Sequence, residues 1–410
     1  MSRSAVARGT APLKRPAFRR LWAAMGLSYA GDRLQELAQA WLVATISQSA
    51  LAVGAISVVA AIPQLFMPLG GVIADQVDRR RLLVTGQLVG AGAALIVGIL
   101  VFTGRLALWH IYGWAFVAGL IWLVSRPAFK VMLTESVPRD EVPAATGLNS
   151  MTETSAMVAV NSLGSALLAV LGLPVAFLLN SVTYLLAGLT LRDRGARKRH
   201  AVRSRGLSAP RIVPDLRDGL RYLAGQPLLL VPVLSTLALL IAVMPAFGLL
   251  AAIVYQDGGS LVQLGLLSAA GSLGGLIGAA YAGVSRVRPD MRARYGLYGL
   301  AAAGALAIFA ILPIGYATSI PLAALGFVIF AEAVWNTSRV RLQAEPGYQA
   351  RLQALTTMAF TLGGMVGQLW GGIAVDRFGP VALLGGAGAL AVVAVAQLTW
   401  SVLNRRSERP

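Results

Sequence analysis

Long apolar runs follow one another along this chain, each separated from the next by a short polar turn. A helix needs about 20 apolar residues to cross a bilayer core. On that measure the pattern predicts spans at roughly Phe18–Ser47, Ala50–Ala74, Leu82–Thr103, Leu106–Val137, Val142–Leu171 and Leu173–Leu191. After a polar segment it predicts six more, at roughly Pro227–Tyr255, Ser260–Ser285, Arg294–Pro313, Ile320–Glu345, Gln349–Val375 and Pro380–Leu403. The expected fold is an all-α membrane protein with twelve transmembrane helices in two six-helix halves. The halves are residues 1–191 and 227–410, with 192–226 as a cytoplasmic linker. In the linker Ile212, Leu216, Leu220 and Leu223 are spaced for one helical face, which predicts an interfacial amphipathic helix. Pro63 and Pro245 predict bends.

Composition agrees with the pattern. The chain is 57% hydrophobic and 13% charged, about half the charged share of a soluble protein. Net charge is +18, but its placement excludes a nucleic-acid surface. Ten of the 35 Lys and Arg lie between Arg192 and Arg221 and six between Arg3 and Arg20. Others fall at Arg79–Arg81, Arg286–Arg294 and Arg405–Arg409. These are alternate loops, so both termini are expected in the cytoplasm, in a cell (inner) membrane. With no cysteine, there is no thiolate chemistry or disulfide. His110 and His200 are not placed as metal ligands. No phosphate-binding loop occurs, and neither an enzyme nor a cofactor is expected. Trp22, Trp41, Trp109, Trp114 and Trp400 lie near span ends as interface anchors.

Ionisable residues at membrane depth are costly and mark candidate function. Asp32 and Glu36 lie one turn apart on the first span, with Arg33 between them, and either a proton or a neutralising arginine would suit the pair. Arg126 on the fourth span could face a cavity, whereas Lys130 reads as reaching to the interface. Glu153 and Asn161 lie on the fifth span, Asn180 and Tyr184 on the sixth. Glu332 and Asn336 share a face of the tenth. Asp32, Glu36, Arg126, Glu153, Asn161, Asn180, Glu332 and Asn336 are the candidate coupling and cavity residues. The glycines of Gly271–Ala280 read as close helix packing.

The second and third spans are joined by Gly70–Leu83, GGVIADQVDRRRLL. Read alone, it could be an ordinary basic cytoplasmic turn. Its spacing resembles motif A of the major facilitator superfamily, with Gly71, Asp75, Arg79 and Arg80 on the motif. Gln76 stands for its first arginine and Asp78 for its second glycine. Phe18–Leu34, Arg126–Ser150, the stretch before the seventh span and Arg339–Gly379 resemble the bacterial exporters of the enterobactin and macrolide type. The resemblance implies a cavity between two rocking halves, and export of a bulky, partly apolar drug- or siderophore-like molecule, by proton antiport. It also implies a conformational gate formed by Gly71, Asp75, Arg79, Arg80 and Glu135, with Asp75 at the start of the eleventh span and Arg79 on Glu135. A proton-coupled uptake permease and a non-transporting scaffold or scramblase stay open as alternatives. The expected partners are a small-molecule substrate, protons and lipid, and the expected state is a monomer.

Overall fold

The computed structural model of the protein describes residues 10–66, 77–192, 212–285, 292–345 and 347–407. Every regular element among them is helical. In hydrocarbon each backbone polar group must find its partner inside the protein, and a helix does so within its own segment. The twelve long elements are α1 (Pro16–Ser47), α2 (Ala50–Ala61), α3 (Arg79–Phe102), α4 (Leu108–Glu135), α5 (Val142–Leu171), α6 (Pro174–Arg192), α7 (Pro227–Gln256), α8 (Leu261–Val284), α9 (Arg292–Ile311), α10 (Ser319–Gln343), α11 (Gln349–Phe378) and α12 (Leu383–Ser407). Helices α3 to α12 are long and apolar enough to cross a membrane. Helix α1 has 32 residues, and the apolar stretch of α2 runs to Phe66. The fold is thus the all-α membrane architecture read from the hydropathy pattern.

Three helices are locally irregular. Helix α2 tightens to a 3₁₀ turn at Pro63–Phe66, because proline cannot donate to the helical ladder. Helix α5 carries a π-turn at Val160–Gly164, which holds Asn161. Helix α7 breaks between Gly248 and Leu250, where the Leu249 N–H bonds back to the Pro245 carbonyl at 3.0 Å.

The chain forms two compact units. The first is residues 1–42 and 59–210, the second 43–58 and 211–410. In the first, α3 lies along α6 and beside α4. Gly90 of α3 abuts the Tyr184 ring, where an added Cβ would sit 3.1 Å from it. Ser181 bonds the Ala91 carbonyl at 2.8 Å. In the second, α8 packs on α10, α9 on α12 and α7 on α11. The α8–α10 seam is a glycine stripe: a side chain on Gly274, Gly278 or Gly326 would overlap the facing carbonyl of Ala323, Phe327 or Gly271. Small residues let apolar helices gain contact where lipid offers no hydrophobic drive.

The segment before α7 is a helix at Ile212–Ala224, and it packs on α11. Two of the four apolar residues of the expected face have described side chains, and they differ. Leu223 is buried in a cluster with Leu352 and Leu355, and Gly219 lies against Leu355, but Leu220 is half exposed. The absence of a side chain at Gly219 allows the closer approach and sets the rotation of the helix.

Candidate functional site

The polar residues of α1 converge with those of α3, α4, α5 and α6 around two cavities inside the first unit. Gly31 is what admits α6, since a Cβ there would overlap Asn180 and Thr183. That approach brings the Asn180 amide onto α1. Its Nδ2 donates to Asp32 Oδ1 at 3.2 Å and to Gln35 Oε1 at 2.6 Å. Thr183 Oγ1 donates to Asn180 Oδ1 at 3.0 Å and so fixes which end of the amide faces α1. The Tyr184 hydroxyl also bonds the Asp32 carboxylate.

Asp32 and Glu36 have different partners despite sharing a helix face. Glu36 is ion-paired with Arg33, whose guanidinium lies 5.1 Å from the Tyr29 ring centroid. Arg126 is likewise committed. Its Nη1 and Nη2 donate to the two Glu153 oxygens at 3.0 and 3.5 Å. The Trp122 ring lies 4.0 Å from the same guanidinium, a cation–π contact. Asn149 Nδ2 donates to Glu153 Oε1 at 3.1 Å. Asp32 alone of these three acids has only neutral hydrogen-bond partners among the described residues.

One cavity, of about 60 Å³, is lined by Tyr29, Asp32, Trp122, Arg126, Glu153 and Tyr184 among others. The second, of about 170 Å³, shares Asp32, Trp122 and Tyr184 and adds Gln35, Glu36, Gln64, Trp114 and Asn180. Among the described residues three polar atoms on these walls are buried without a hydrogen-bond partner, Arg33 Nε, Gln35 Nε2 and Ser125 Oγ. Trp114 is a correction to its reading as an interface anchor. It is 6% exposed, meets the Tyr184 ring edge-on at 6.2 Å and lines the larger cavity.

The remaining candidates lie elsewhere. Asn161 sits in the π-turn of α5 and lines neither cavity. Glu332 and Asn336 belong to a buried cluster of the second unit. Thr236 Oγ1 donates to Glu332 at 3.3 Å and accepts from the Asn336 amide. The Tyr295 hydroxyl donates to Asn336 Oδ1 at 3.0 Å. Of the gate residues, Gly71 and Asp75 lie outside the described residues. Arg79 Nη1 lies 3.1 Å from Glu135 Oε1, and Arg80 Nε donates to the Leu191 carbonyl at 2.5 Å, at the end of α6. Asp78 is the N-cap of α3, accepting from the amides of Arg80 and Arg81 at 2.9 and 3.2 Å. An acid suits that position, where the first amides of the helix are unpaired.

Sequence reasoning passed over Gln35, Gln87 and Trp122. For the two glutamines the available signal was a side-chain amide within an apolar span. Gln87 is 3% exposed and accepts from Ser28 at 3.1 Å.

Membrane-length apolar helices, with polar cavities inside the first unit, define a multi-pass membrane protein. The backbone superposes on a bacterial homologue of the iron transporter ferroportin in its inward-facing state, with a TM-score of 0.69 at 17% identity over 94% of this chain and 98% of that one. It also superposes on the nucleoside transporter NupG, at 0.65 and 15% over 94% and 98%. At such identities the likeness concerns the fold. Residues 7–409 match the model of the transmembrane secretion effector family, and the chain belongs to this family of major facilitator transporters. Its curated relatives include the uncharacterized MFS-type transporter YfiS of Bacillus subtilis (strain 168), 24% identical over 90% of each chain. YkuC of the same organism, another uncharacterized MFS-type transporter, is 26% identical over 39% of this chain and 38% of its own length.

Proposed function

We propose that the protein exports a bulky, partly apolar small molecule, drug- or siderophore-like, in exchange for protons and by alternating access. In this reading it lies in the inner membrane with both termini cytoplasmic and works as a monomer. The observation that carries the reading is Asp32. It borders both cavities and is held by an amide and a hydroxyl, whereas Glu36 and Glu153 are each committed to an arginine. Protonating either paired acid costs an ion pair, but protonating Asp32 costs only a rearrangement of neutral hydrogen bonds. It is therefore the acid free to exchange a proton, or to meet a cationic group on a substrate.

The walls support the rest of the reading. Tyr29, Trp114, Trp122 and Tyr184 give flat apolar surface with polar edges, which suits a planar or ring-bearing ligand. Gln35 Nε2 is a buried donor without an acceptor among the described residues. Such atoms cost about 1–3 kcal/mol unless something occupies them, so a carbonyl or ether oxygen of the substrate fits there. The test is transport of a rhodamine dye by purified protein in proteoliposomes under an imposed pH gradient. Dye movement opposite to the proton flow, abolished by a protonophore, supports the reading. Movement in the same direction as the protons would make the protein an uptake permease. Movement indifferent to the gradient would remove protons from the mechanism.

A further inference from the structure

The chain passes from α1 to α2 through only two residues, Gln48 and Ser49. Gln48 has φ 53, a left-handed conformation that a non-glycine residue keeps only where its surroundings impose it. Those surroundings are visible. Gln256 Nε2 donates to the Gln48 carbonyl at 3.1 Å, and Ser47 Oγ accepts from the Ser49 amide at 3.2 Å. The turn aims the start of α2, whose first amides have no partner in their own helix, at Asp376 of α11. The Ala50 amide donates to Asp376 Oδ1 at 2.5 Å, and the Leu51 amide to Oδ2 at 3.2 Å. The Ser49 hydroxyl donates to Oδ2 at 2.6 Å.

Asp376 stands in the last turn of α11, two residues before its end at Phe378. An anion there is disfavoured by the negative end of its own helix, so the amino-terminal end of α2 is what stabilises it. The two helices touch to make this possible. A Cβ on Gly372 would fall 2.6 Å from Leu51 Cα, and one on Gly54 3.0 Å from the Gln368 carbonyl. All of these residues belong to the second unit, while the chain enters and leaves the 43–58 tip through Leu42 and Val59 of the first. The tip is therefore tied by its chain ends to the first unit and by these hydrogen bonds to α11.

The sequence around Asp376 adds an independent observation. Gly372-Ile-Ala-Val-Asp376-Arg377-Phe-Gly379 has the G-x-x-x-D-R-x-G spacing in full. It keeps the arginine and second glycine that Gln76 and Asp78 replace in the turn after α2. By the distribution of basic loops it lies on the opposite membrane face from that turn.

We propose that Asp376 and the amino-terminal turn of α2 form a latch on the outer face, closed in this structure and released when the 43–58 tip leaves α11. The proposal rests on the alternating-access reading, in which the outer face must open once per cycle.

The chain has no cysteine, so a single cysteine can report the latch. Val53, in the second turn of α2, is 1% exposed. Full-length Val53→Cys protein is purified and labelled with a maleimide in the absence of substrate. Adding Asp376→Asn or Asp376→Ala is expected to raise the labelling rate about tenfold, the scale on which one charge-assisted contact shifts a two-state equilibrium. Ser49→Ala gives a smaller rise. A cysteine at Val97, 4% exposed in α3 of the first unit, stays unlabelled in every background. Rates within about twofold of the parent in both Asp376 variants overturn the latch. So does a rise at Val97 equal to that at Val53, which would mean general loosening. Labelling and dye transport are read separately. A normal Val53 response in a protein that moves no dye keeps the latch and loses the export reading; the reverse loses only the latch.

Discussion

Arg126 and Glu153, one helix apart, meet through two contacts of 3.0 and 3.5 Å above the ring of Trp122. Their side chains are 24% and 26% exposed, so the pair is neither a surface ornament nor fully dry. Its consequence is that the one arginine on the cavity wall of α4 is already spoken for, and Asp32 must find its balance elsewhere.

The pair itself is testable. Glu153→Gln leaves the Arg126 charge half-buried with a neutral partner and is expected to destabilise the protein by about 1–2 kcal/mol, less than a fully buried pair would lose. Arg126→Gln should cost a similar amount. The double variant should recover part of the loss, because neither charge is then stranded. Thermal unfolding followed by tryptophan fluorescence measures all three. Strict additivity would mean that the two side chains do not act on each other.

Asp32→Asn keeps an acceptor for Asn180 and removes the ionisable group. The expected outcome is a folded protein that has lost most of its gradient-driven transport and whose residual rate is flat with pH. Glu332→Gln provides the contrast. Glu332 is 1% exposed and lines neither cavity, and glutamine can still accept from Thr236. It should fold and retain its response to pH. Proteoliposome transport across a series of pH gradients separates the two acids. A flat profile in Glu332→Gln would move the proton site to the second unit.

Gln35→Glu retains the oxygen that receives the Asn180 amide and converts the unpartnered Nε2 into a second oxygen. Substrates offering a carbonyl or ether oxygen should bind about 5- to 15-fold more weakly, the cost of one lost hydrogen bond plus repulsion. Binding titration against the quenching of cavity tryptophans reads this directly. Unchanged affinity would show that water rather than substrate satisfies Gln35.

At the α8–α10 seam, Gly278→Val should be more damaging than Gly283→Val. A side chain at Gly278 overlaps the Phe327 carbonyl, whereas Gly283 has open space around it among the described residues. Overpacking of this kind costs about 1–3 kcal/mol. The yield of monodisperse protein by size exclusion and its melting temperature decide the matter. Equal behaviour of the two variants would mean that the helices can part at no cost.

Much of this protein is written locally. Twelve helices follow from hydropathy because a segment in hydrocarbon has to satisfy its own backbone, whatever its neighbours are. The tight turn at Pro63 follows from proline's missing N–H. Even the Arg79–Glu135 contact is within reach of sequence, since both residues sit at helix ends that a basic turn holds on one face. Partner choice inside the bundle is different in kind. Asp32 and Arg33 are adjacent in sequence, yet Asp32 bonds Asn180, 148 positions away, and Arg33 turns to Glu36. That outcome depends on the rotation of α6 against α1, which a single missing Cβ at Gly31 makes possible. The same holds for the tip 43–58, which hydropathy assigns to the first half and packing assigns to the second. Sequence sets which residues reach the membrane interior. Only the approach of helices distant in the chain decides which polar groups meet there.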